Sequence, residues 1–166
     1  MTMSLFSSAA MKTIPTTAGS DEINHAHNTN YTFQLLMARK FSEAVSVQIM
    51  PSLVHKNLVA TAEESNDVLS IGVAPKVQIS RHLTINAEYY YVLPDQLGEG
   101  YYNSFAIGLD IETKGHVFQL NIGNSRGLIE KAFITETTDQ WQNGDIHFGF
   151  NITRDFKLKG KKYRKN

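Results

Sequence analysis

The most constraining feature of this sequence is a run of strictly alternating residues between Asp67 and Ile79. One parity of the run is apolar, and the other carries small and polar residues, including a lysine: Leu69, Ile71, Val73, Pro75, Val77 and Ile79 alternate with Ser70, Gly72, Ala74, Lys76 and Gln78. Successive side chains of a β-strand point to opposite faces of its sheet. The run therefore predicts a long strand with one face against an apolar environment and the other against water.

The same alternation recurs in four further segments, which indicates an architecture and not a chance pattern. Their apolar parities are Val45, Val47, Ile49, Pro51 and Leu53; Leu83, Ile85, Ala87, Tyr89 and Tyr91; Phe105, Ile107, Leu109 and Ile111; and Ile146, Phe148, Phe150 and Ile152. Apolar residues toward lipid and polar residues toward a lumen are the pattern of a transmembrane β-barrel.

Composition leaves strands as the route into a membrane. The chain has 166 residues, which suffice for one domain, and 42% of them are hydrophobic. Its uninterrupted apolar runs are too short for a transmembrane helix. Strands hide their polar backbone in a bilayer only when their sheet closes. The absence of cysteine excludes disulfide and thiolate chemistry.

The spacing predicts an all-β, antiparallel up-and-down β-barrel of the transmembrane type with about eight strands, either closed at eight or part of a larger barrel. Connections along the chain alternate long and short, as in outer-membrane barrels, whose periplasmic turns are short. The longest connection, residues 124–143, is predicted to be an outer loop. The strands are expected near residues 2–13, 30–41, 44–56, 67–80, 82–93, 101–113, 116–123 and 144–156.

The domain prediction is a barrel over residues 1–156 followed by a basic C-terminal tail over residues 157–166. The tail contains no acidic residue, and its six cations are Lys157, Lys159, Lys161, Lys162, Arg164 and Lys165. Short basic ends without aromatic support are usually solvated, so no nucleic-acid partner is expected.

Three segments carry a family resemblance: residues 31–42, residues 116–135 and residues 144–154. They resemble an uncharacterised outer-membrane β-barrel family, a domain of unknown function, from Bacteroidota-type bacteria. The chain is similar to the C-terminal portion of that family. The resemblance implies a barrel in the bacterial outer membrane, with the lipid bilayer as its surroundings. It implies no activity, ligand or catalytic residue.

Export signals give a mixed result. The last predicted strand is similar to the closing strand that outer-membrane insertion machinery recognises, with Gly149, Phe150, Ile152 and Phe156 in the expected pattern. In contrast, residues 1–11 lack the basic start and the long apolar core of a secretory signal peptide. This difference has two explanations: either the sequence is truncated, or the chain is not a membrane protein.

The polar parity predicts an internal network of hydrogen bonds and ion pairs. Side chains fill a narrow eight-stranded barrel, and buried charges there need partners. In a larger barrel, the same face would line a water-filled channel. The predicted members of this lumen network are Lys76, Asn86, Glu88, Asp110, Gln119, Asn121 and His147.

Neither catalysis nor metal binding is expected. His116, His147 and Ser104 are chemically competent residues, but no short motif ties a nucleophile to a base. His25 and His27 are weak metal candidates beside two carboxylates, in a polar loop without the ligand spacing of a structural zinc site. No cofactor is expected.

The sequence thus predicts a non-enzymatic barrel with a structural or surface-interaction role. Phe133 and Trp141 are the candidate contact residues of the longest loop, and packing of that loop over the barrel mouth is an equal alternative. Two other functions stay open. One is a channel or carrier for small solutes. The other is a soluble, lipocalin-like barrel around an apolar ligand, which predicts that the apolar parity faces inward.

Overall fold

Eight antiparallel strands form one curved sheet in which each strand pairs with its neighbours in sequence. The structure, a computed structural model, describes residues 1–12, 28–59, 64–154 and 156. The sheet curves into a half-barrel of up-and-down topology. The strands are β1 (Thr2–Met11), β2 (Thr29–Lys40), β3 (Val45–Lys56), β4 (Asp67–Gln78), β5 (Leu83–Val92), β6 (Phe105–Glu112), β7 (Val117–Gly123) and β8 (His147–Thr153).

The predicted fold class is confirmed, and each predicted strand overlaps an observed one. The largest boundary error is at β6, which begins at Phe105 and not near residue 101. Before Phe105, side chains take the place of the backbone hydrogen bonds that strand pairing would make. The side-chain oxygen Oδ1 of Asn103 accepts a hydrogen bond from the backbone N–H of Val92 at 3.0 Å. The Phe105 N–H likewise donates to Oδ1 of Asn124 at 2.8 Å. Asparagine side chains commonly compete with regular structure in this way.

The sheet places its apolar parity on the convex side. Ile71 is 45% exposed, whereas its neighbour Ser70 is 3% exposed. Residues that pair in a ladder lie on the same face of the sheet, so the choice of face carries through all eight strands. This orientation is the opposite of the one that the lipocalin-like alternative requires.

The short connections all lie at one end of the sheet. Phe41 N–H donates to the carbonyl oxygen of Val45 at 2.9 Å in the turn between β2 and β3. In the turn between β6 and β7, Gly115 has a φ of +108°, which other residues rarely adopt. The two long connections that are described throughout, between β5 and β6 and between β7 and β8, lie at the opposite end, as predicted.

The hydrophobic core lies on the concave side near the long-loop end. It comprises Met50, Val54, Val68, Tyr90, Val92 and Ile134. Ile134 belongs to a short helix, α1 (Glu130–Thr135), in the connection between β7 and β8. This helix packs against β2, β3 and β5. The longest loop therefore packs its helix against the concave side of the half-barrel.

The half-barrel has two open edges. Among the described residues, β1 pairs only with β2, and β8 pairs only with β7. Within the described ranges, the sheet therefore does not close on itself. In the same part of the chain, no helix is both long enough and apolar enough to cross a membrane.

Candidate functional site

The concave face carries a polar network centred on Asp110. Its Oδ2 accepts a hydrogen bond from Lys76 Nζ at 3.1 Å. Its Oδ1 accepts hydrogen bonds from Asn86 Nδ2 at 3.1 Å and from Gln119 Nε2 at 3.2 Å. Asn151 Nδ2 continues the network by donating to Gln119 Oε1 at 2.9 Å. One row of inward side chains thus connects five consecutive strands, β4 to β8.

A second polar cluster lies closer to the long-loop end. Gln34 Nε2 donates to Ser52 Oγ at 2.9 Å and contacts the Tyr90 hydroxyl at 3.3 Å. The Tyr90 ring lies over Gly72, where an added Cβ would be 2.6 Å from Tyr90 Cε1 and 2.9 Å from Met50 Cε. Gly72 therefore provides the space in which the tyrosine ring packs flat against the wall.

The connection between β7 and β8, residues 124–146, docks on the wall through its aromatic residues. The Phe133 ring lies 5.1 Å from the Tyr90 ring, between centroids. The Trp141 ring lies 5.3 Å from the Phe105 ring, and its indole Nε1–H donates to the Phe105 carbonyl oxygen at 3.0 Å. Both loop contact candidates therefore pack against the protein's own wall, and their role toward a partner stays a prediction.

An ion cluster fixes the far end of this connection. Asp139 Oδ2 accepts a hydrogen bond from Arg126 Nε at 2.9 Å and lies 2.7 Å from His147 Nε2. The hydrogen bond with His147 is the main cause that lowers the pKa of the Asp139 carboxyl, partial burial opposes it, and Arg126 adds to the lowering. His147 therefore acts as an anchor for the loop at the start of β8.

A charged cavity of about 410 Å³ opens beside α1 at the long-loop end. Its wall includes the buried ion pair between Lys56 Nζ and Glu64 Oε2, at 3.0 Å. Lys131 and Glu136 form a second ion pair there. Burial raises the pKa of the Tyr101 hydroxyl at the same site, and the nearby Glu64 carboxylate adds to this effect. Charges of both signs thus line this cavity beside the loop helix.

The seven predicted lumen residues divide between two sites. Lys76, Asn86, Asp110 and Gln119 meet in the central network. Glu88, Asn121 and His147 line a separate cavity of about 380 Å³ near β8. Sequence reasoning missed Asn151, Gln34 and Ser52, although all three lie on the polar parity that identified the others.

Other sequence candidates have different outcomes. His116 packs against Phe118 on the convex side, with ring centroids 6.2 Å apart. In the described part of the chain, no group of three or more histidine, aspartate or glutamate residues could hold a metal ion. The weak metal candidates His25 and His27, and the basic tail, lie outside the described residues.

Comparison with known proteins identifies the family. No curated protein and no solved structure matches the chain. A family model described as a membrane-bound β-barrel domain, DUF5777, matches residues 1–156. The description of this family names neither a bacterial group nor a portion of the family's chain. The Bacteroidota origin and the similarity to the C-terminal portion of the family therefore stay predictions. Because the match covers nearly the whole chain and agrees with the strands and their facing, the protein belongs to the DUF5777 family of membrane-bound β-barrel domains.

Proposed function

We propose that this chain forms the wall of an outer-membrane channel for small polar solutes, and that residues 124–146 constrict its lumen. The observation that carries the proposal is the position of the longest loop, which folds onto the polar concave face through α1. A loop folded into a lumen narrows the passage that the wall encloses. The proposed role is non-enzymatic.

The two faces of the wall support this function. Side chains such as Ile71 and Phe150 present an apolar surface on the convex side, as lipid contact requires. The concave side holds fixed polar groups in the Asp110 network. The Lys76 side chain in that network is 54% exposed, so it presents positive charge to solvent. Such groups favour the passage of hydrated polar solutes over apolar ones.

The loop supports the constriction. Ile134 is fully buried against the wall, and Thr137 Oγ1 donates to the Phe133 carbonyl oxygen at 2.9 Å just beyond the helix. Tyr102 N–H donates to the Thr137 carbonyl oxygen at 2.8 Å and ties the segment to the neighbouring loop. Contacts within α1 and just beyond its C-terminal end hold it against the concave face.

Planar-bilayer recording tests the proposal. We expect discrete conductance steps from the wild-type protein. Ile134→Ala removes part of the apolar contact that docks α1, so we expect larger or noisier steps. Leu128→Ala, at a loop residue that is 94% exposed, is the matched control and leaves conductance unchanged. Inserted, protease-protected protein without discrete conductance would contradict the channel function.

A surface-interaction role is the second candidate, and the tip of the same loop favours it. Leu128 and Ile129 expose apolar side chains to solvent on the long-loop side. We expect proteoliposomes that carry the protein to bind bacterial cell surfaces, and Leu128→Ser combined with Ile129→Ser to reduce that binding several-fold. Leu58→Ser, at an exposed residue of another loop, is the control. Equal binding by all three proteins would exclude this role.

A further inference from the structure

We propose that the long-loop end of the wall carries a binding cleft for neutral carbohydrate. In this cleft, aromatic rings contact the C–H face of a pyranose ring, and glutamine amides bind its hydroxyl groups. The cleft lies on the convex side, outside the lumen, so the inference goes beyond the proposed channel and does not depend on conduction. Its rings are those of Tyr89, Tyr102, Phe105 and Trp141, and its glutamines are Gln140 and Gln142.

The cleft exists because the connection between β7 and β8 crosses the rim of the sheet. The helix α1 packs on the concave side through Ile134. Trp141, later in the same connection, packs instead against Phe105, with ring centroids 5.3 Å apart. Phe105 pairs with Tyr89, and both lie on the apolar, convex parity. The cavity beside Trp141 measures about 460 Å³, which lies in the range of about 300–1,000 Å³ that is usual for small-molecule pockets.

Hydrogen bonds hold the walls of the cleft in place. The indole Nε1–H of Trp141 donates to the Phe105 carbonyl oxygen at 3.0 Å. Asn103 Nδ2 donates to the Tyr89 hydroxyl at 3.1 Å. Asn124 Nδ2 donates to the Asp139 carbonyl oxygen at 2.9 Å and thereby fixes the segment that leads to Trp141. The rings are therefore positioned before a ligand arrives, which reduces the entropy that binding costs.

Three polar groups at the cleft are available to a ligand. Over the residues that the structure describes, the side-chain amides of Gln140 and Gln142 and the Tyr102 hydroxyl make no hydrogen bond. Each amide offers a carbonyl acceptor and an NH₂ donor group. An amide without a partner is costly in hydrocarbon, so the cleft belongs at the level of lipid headgroups and water. Tyrosine and tryptophan are the residues that favour this level.

The composition of the cleft selects a neutral ligand. In the part of the chain that is described, the residues that line it include no lysine, arginine, histidine, aspartate or glutamate. The other two cavities at the long-loop end contain charges, Lys56 in one and Arg126 in the other. A phosphate or carboxylate ligand would lack a cation here. A pyranose ring satisfies both kinds of wall, because it has C–H groups on its faces and hydroxyl groups around its edge.

The angles between the rings favour a sugar over a flat aromatic ligand. The Tyr89 and Phe105 rings are inclined by 65°, and the Phe105 and Trp141 rings by 53°. Flat ligands such as nucleobases stack on a ring that is parallel to them. Inclined rings instead form an angular cleft, which suits a puckered ring with C–H groups on both faces.

The fluorescence of Trp141, the single tryptophan of the chain, reports binding directly. The protein is refolded into micelles of a polyoxyethylene detergent, which has no sugar headgroup and leaves both ends of the wall accessible. Hexose oligosaccharides of gluco, manno and galacto configuration are then titrated in turn. We expect a saturable change with at least one of them. Tyr102→Ala and Gln142→Ala should each weaken the binding several-fold.

Two substitutions outside the cleft are the matched controls. Tyr31→Ala removes a ring that is 39% exposed, against 38% for Tyr102. Gln78→Ala removes an exposed amide at the short-turn end of β4. Both variants should bind as the wild-type protein does. Heat-dependent electrophoretic mobility verifies that every variant is folded, and Tyr102→Phe, which keeps the ring, tests the hydroxyl alone if Tyr102→Ala does not fold.

Vesicles distinguish the source of the sugar. Phosphatidylcholine vesicles are compared with vesicles that also contain digalactosyl diacylglycerol or phosphatidylglycerol. A Tyr102-dependent change of Trp141 fluorescence with free oligosaccharide supports a soluble glycan, and the same change with the galactolipid alone supports a lipid sugar headgroup. Either result keeps the inference. No response to any sugar, or an equal response to phosphatidylglycerol, would overturn it and make the rings an interfacial aromatic belt.

Conductance separates this inference from the channel. A protein that conducts but does not respond to sugar would contradict the carbohydrate cleft alone. A protein that binds sugar but shows no discrete conductance would contradict the channel alone.

Discussion

Asp110 on β6 and Lys76 on β4 form an ion pair across the strand that separates them, with 3.1 Å between Oδ2 and Nζ. The intervening strand β5 contributes Asn86 to the same carboxylate. Because Asp110 accepts from three side chains on three strands, it is the one residue whose loss disconnects the network. The Lys76 side chain is largely solvated, so the network depends more on the carboxylate than on the ammonium group.

Asp110→Asn should lower the free energy of unfolding by about 1–2 kcal/mol. Hydrogen bonds to a charged group contribute about 1.5–3 kcal/mol each, and the solvation of Lys76 reduces its share. The measurement is urea unfolding in vesicles, followed by the fluorescence of Trp141, the single tryptophan of the chain. Glu112→Gln, at an exposed acid on the same strand and face, is the control. Equal destabilisation by Asp110→Asn and Glu112→Gln would contradict the central role of Asp110 in the network.

Gly72→Val should destabilise the wall by about 1–3 kcal/mol, as overpacking does. The new side chain would collide with the ring of Tyr90, which lies over the glycine, and would displace it from Gln34. Urea unfolding measures the change. Ala87→Val adds a comparable volume on the convex side of β5 and should cost less than 0.5 kcal/mol, roughly the range of surface substitutions. If Gly72→Val left the free energy of unfolding unchanged, the Tyr90 ring would have another position available.

The periodicity of the sequence was sufficient to predict the strands and their polar face. Apolar and polar residues that alternate over about ten positions are typical of a β-strand with two different faces. Lys76, Asn86, Asp110 and Gln119 were predictable for the same reason: each lies on the polar parity at one level of the sheet. Tyr90 and Met50 share that parity but are largely apolar side chains. The pattern alone therefore did not mark Tyr90 as a partner of Gln34, or Met50 as a contact of the Tyr90 hydroxyl.

The loop helix was not predictable from its own residues. The helix α1 has six residues, too few to be stable alone, and it exists because Ile134 is buried against three strands. The contact between Asp139 and His147 likewise depends on how residues 124–146 return to the sheet. Closure is a third case, because alternation within a strand carries no information about which strand lies beyond the edge.

Acid should release the end of the long loop. The folded-state pKa of Asp139 is lowered, chiefly by His147, so its contribution to loop docking is present above the ordinary carboxyl value of 3.8. That contribution is lost as the pH falls below 3.8 and through the lower folded-state value. We therefore expect Trp141 fluorescence to stay constant from neutral pH to about pH 4 and to change below it.

At neutral pH, the Asp139→Asn protein should already show the Trp141 fluorescence that the wild-type protein shows only in acid. The reason is that the ionised carboxylate that accepts from Arg126 is absent. Asp145→Asn removes an exposed acid of the same loop and should leave the acid transition in place. An unchanged transition in the Asp139→Asn protein would show that another carboxyl group controls docking.

A lysine on the convex face should have an effect that depends on its depth in the bilayer. Ile71 lies in the middle of β4, and Ile79 lies just beyond its end at the short turn. In a transmembrane barrel, a lysine on the lipid side costs about 2–4 kcal/mol at the midplane and about 0–1 kcal/mol near the interface. We therefore expect Ile71→Lys to weaken folding into vesicles strongly and Ile79→Lys to weaken it little.

Matched urea titrations in vesicles and in a short-chain detergent measure this difference. In vesicles, the gap between Ile71→Lys and Ile79→Lys should approach the full depth dependence, because the hydrocarbon layer has a fixed thickness. A detergent belt adapts more easily around a charge, so the gap should shrink there. Equal and small effects of both substitutions in vesicles would contradict the assignment of the convex face to lipid, since exposed residues such as Ile71 tolerate lysine when water surrounds them.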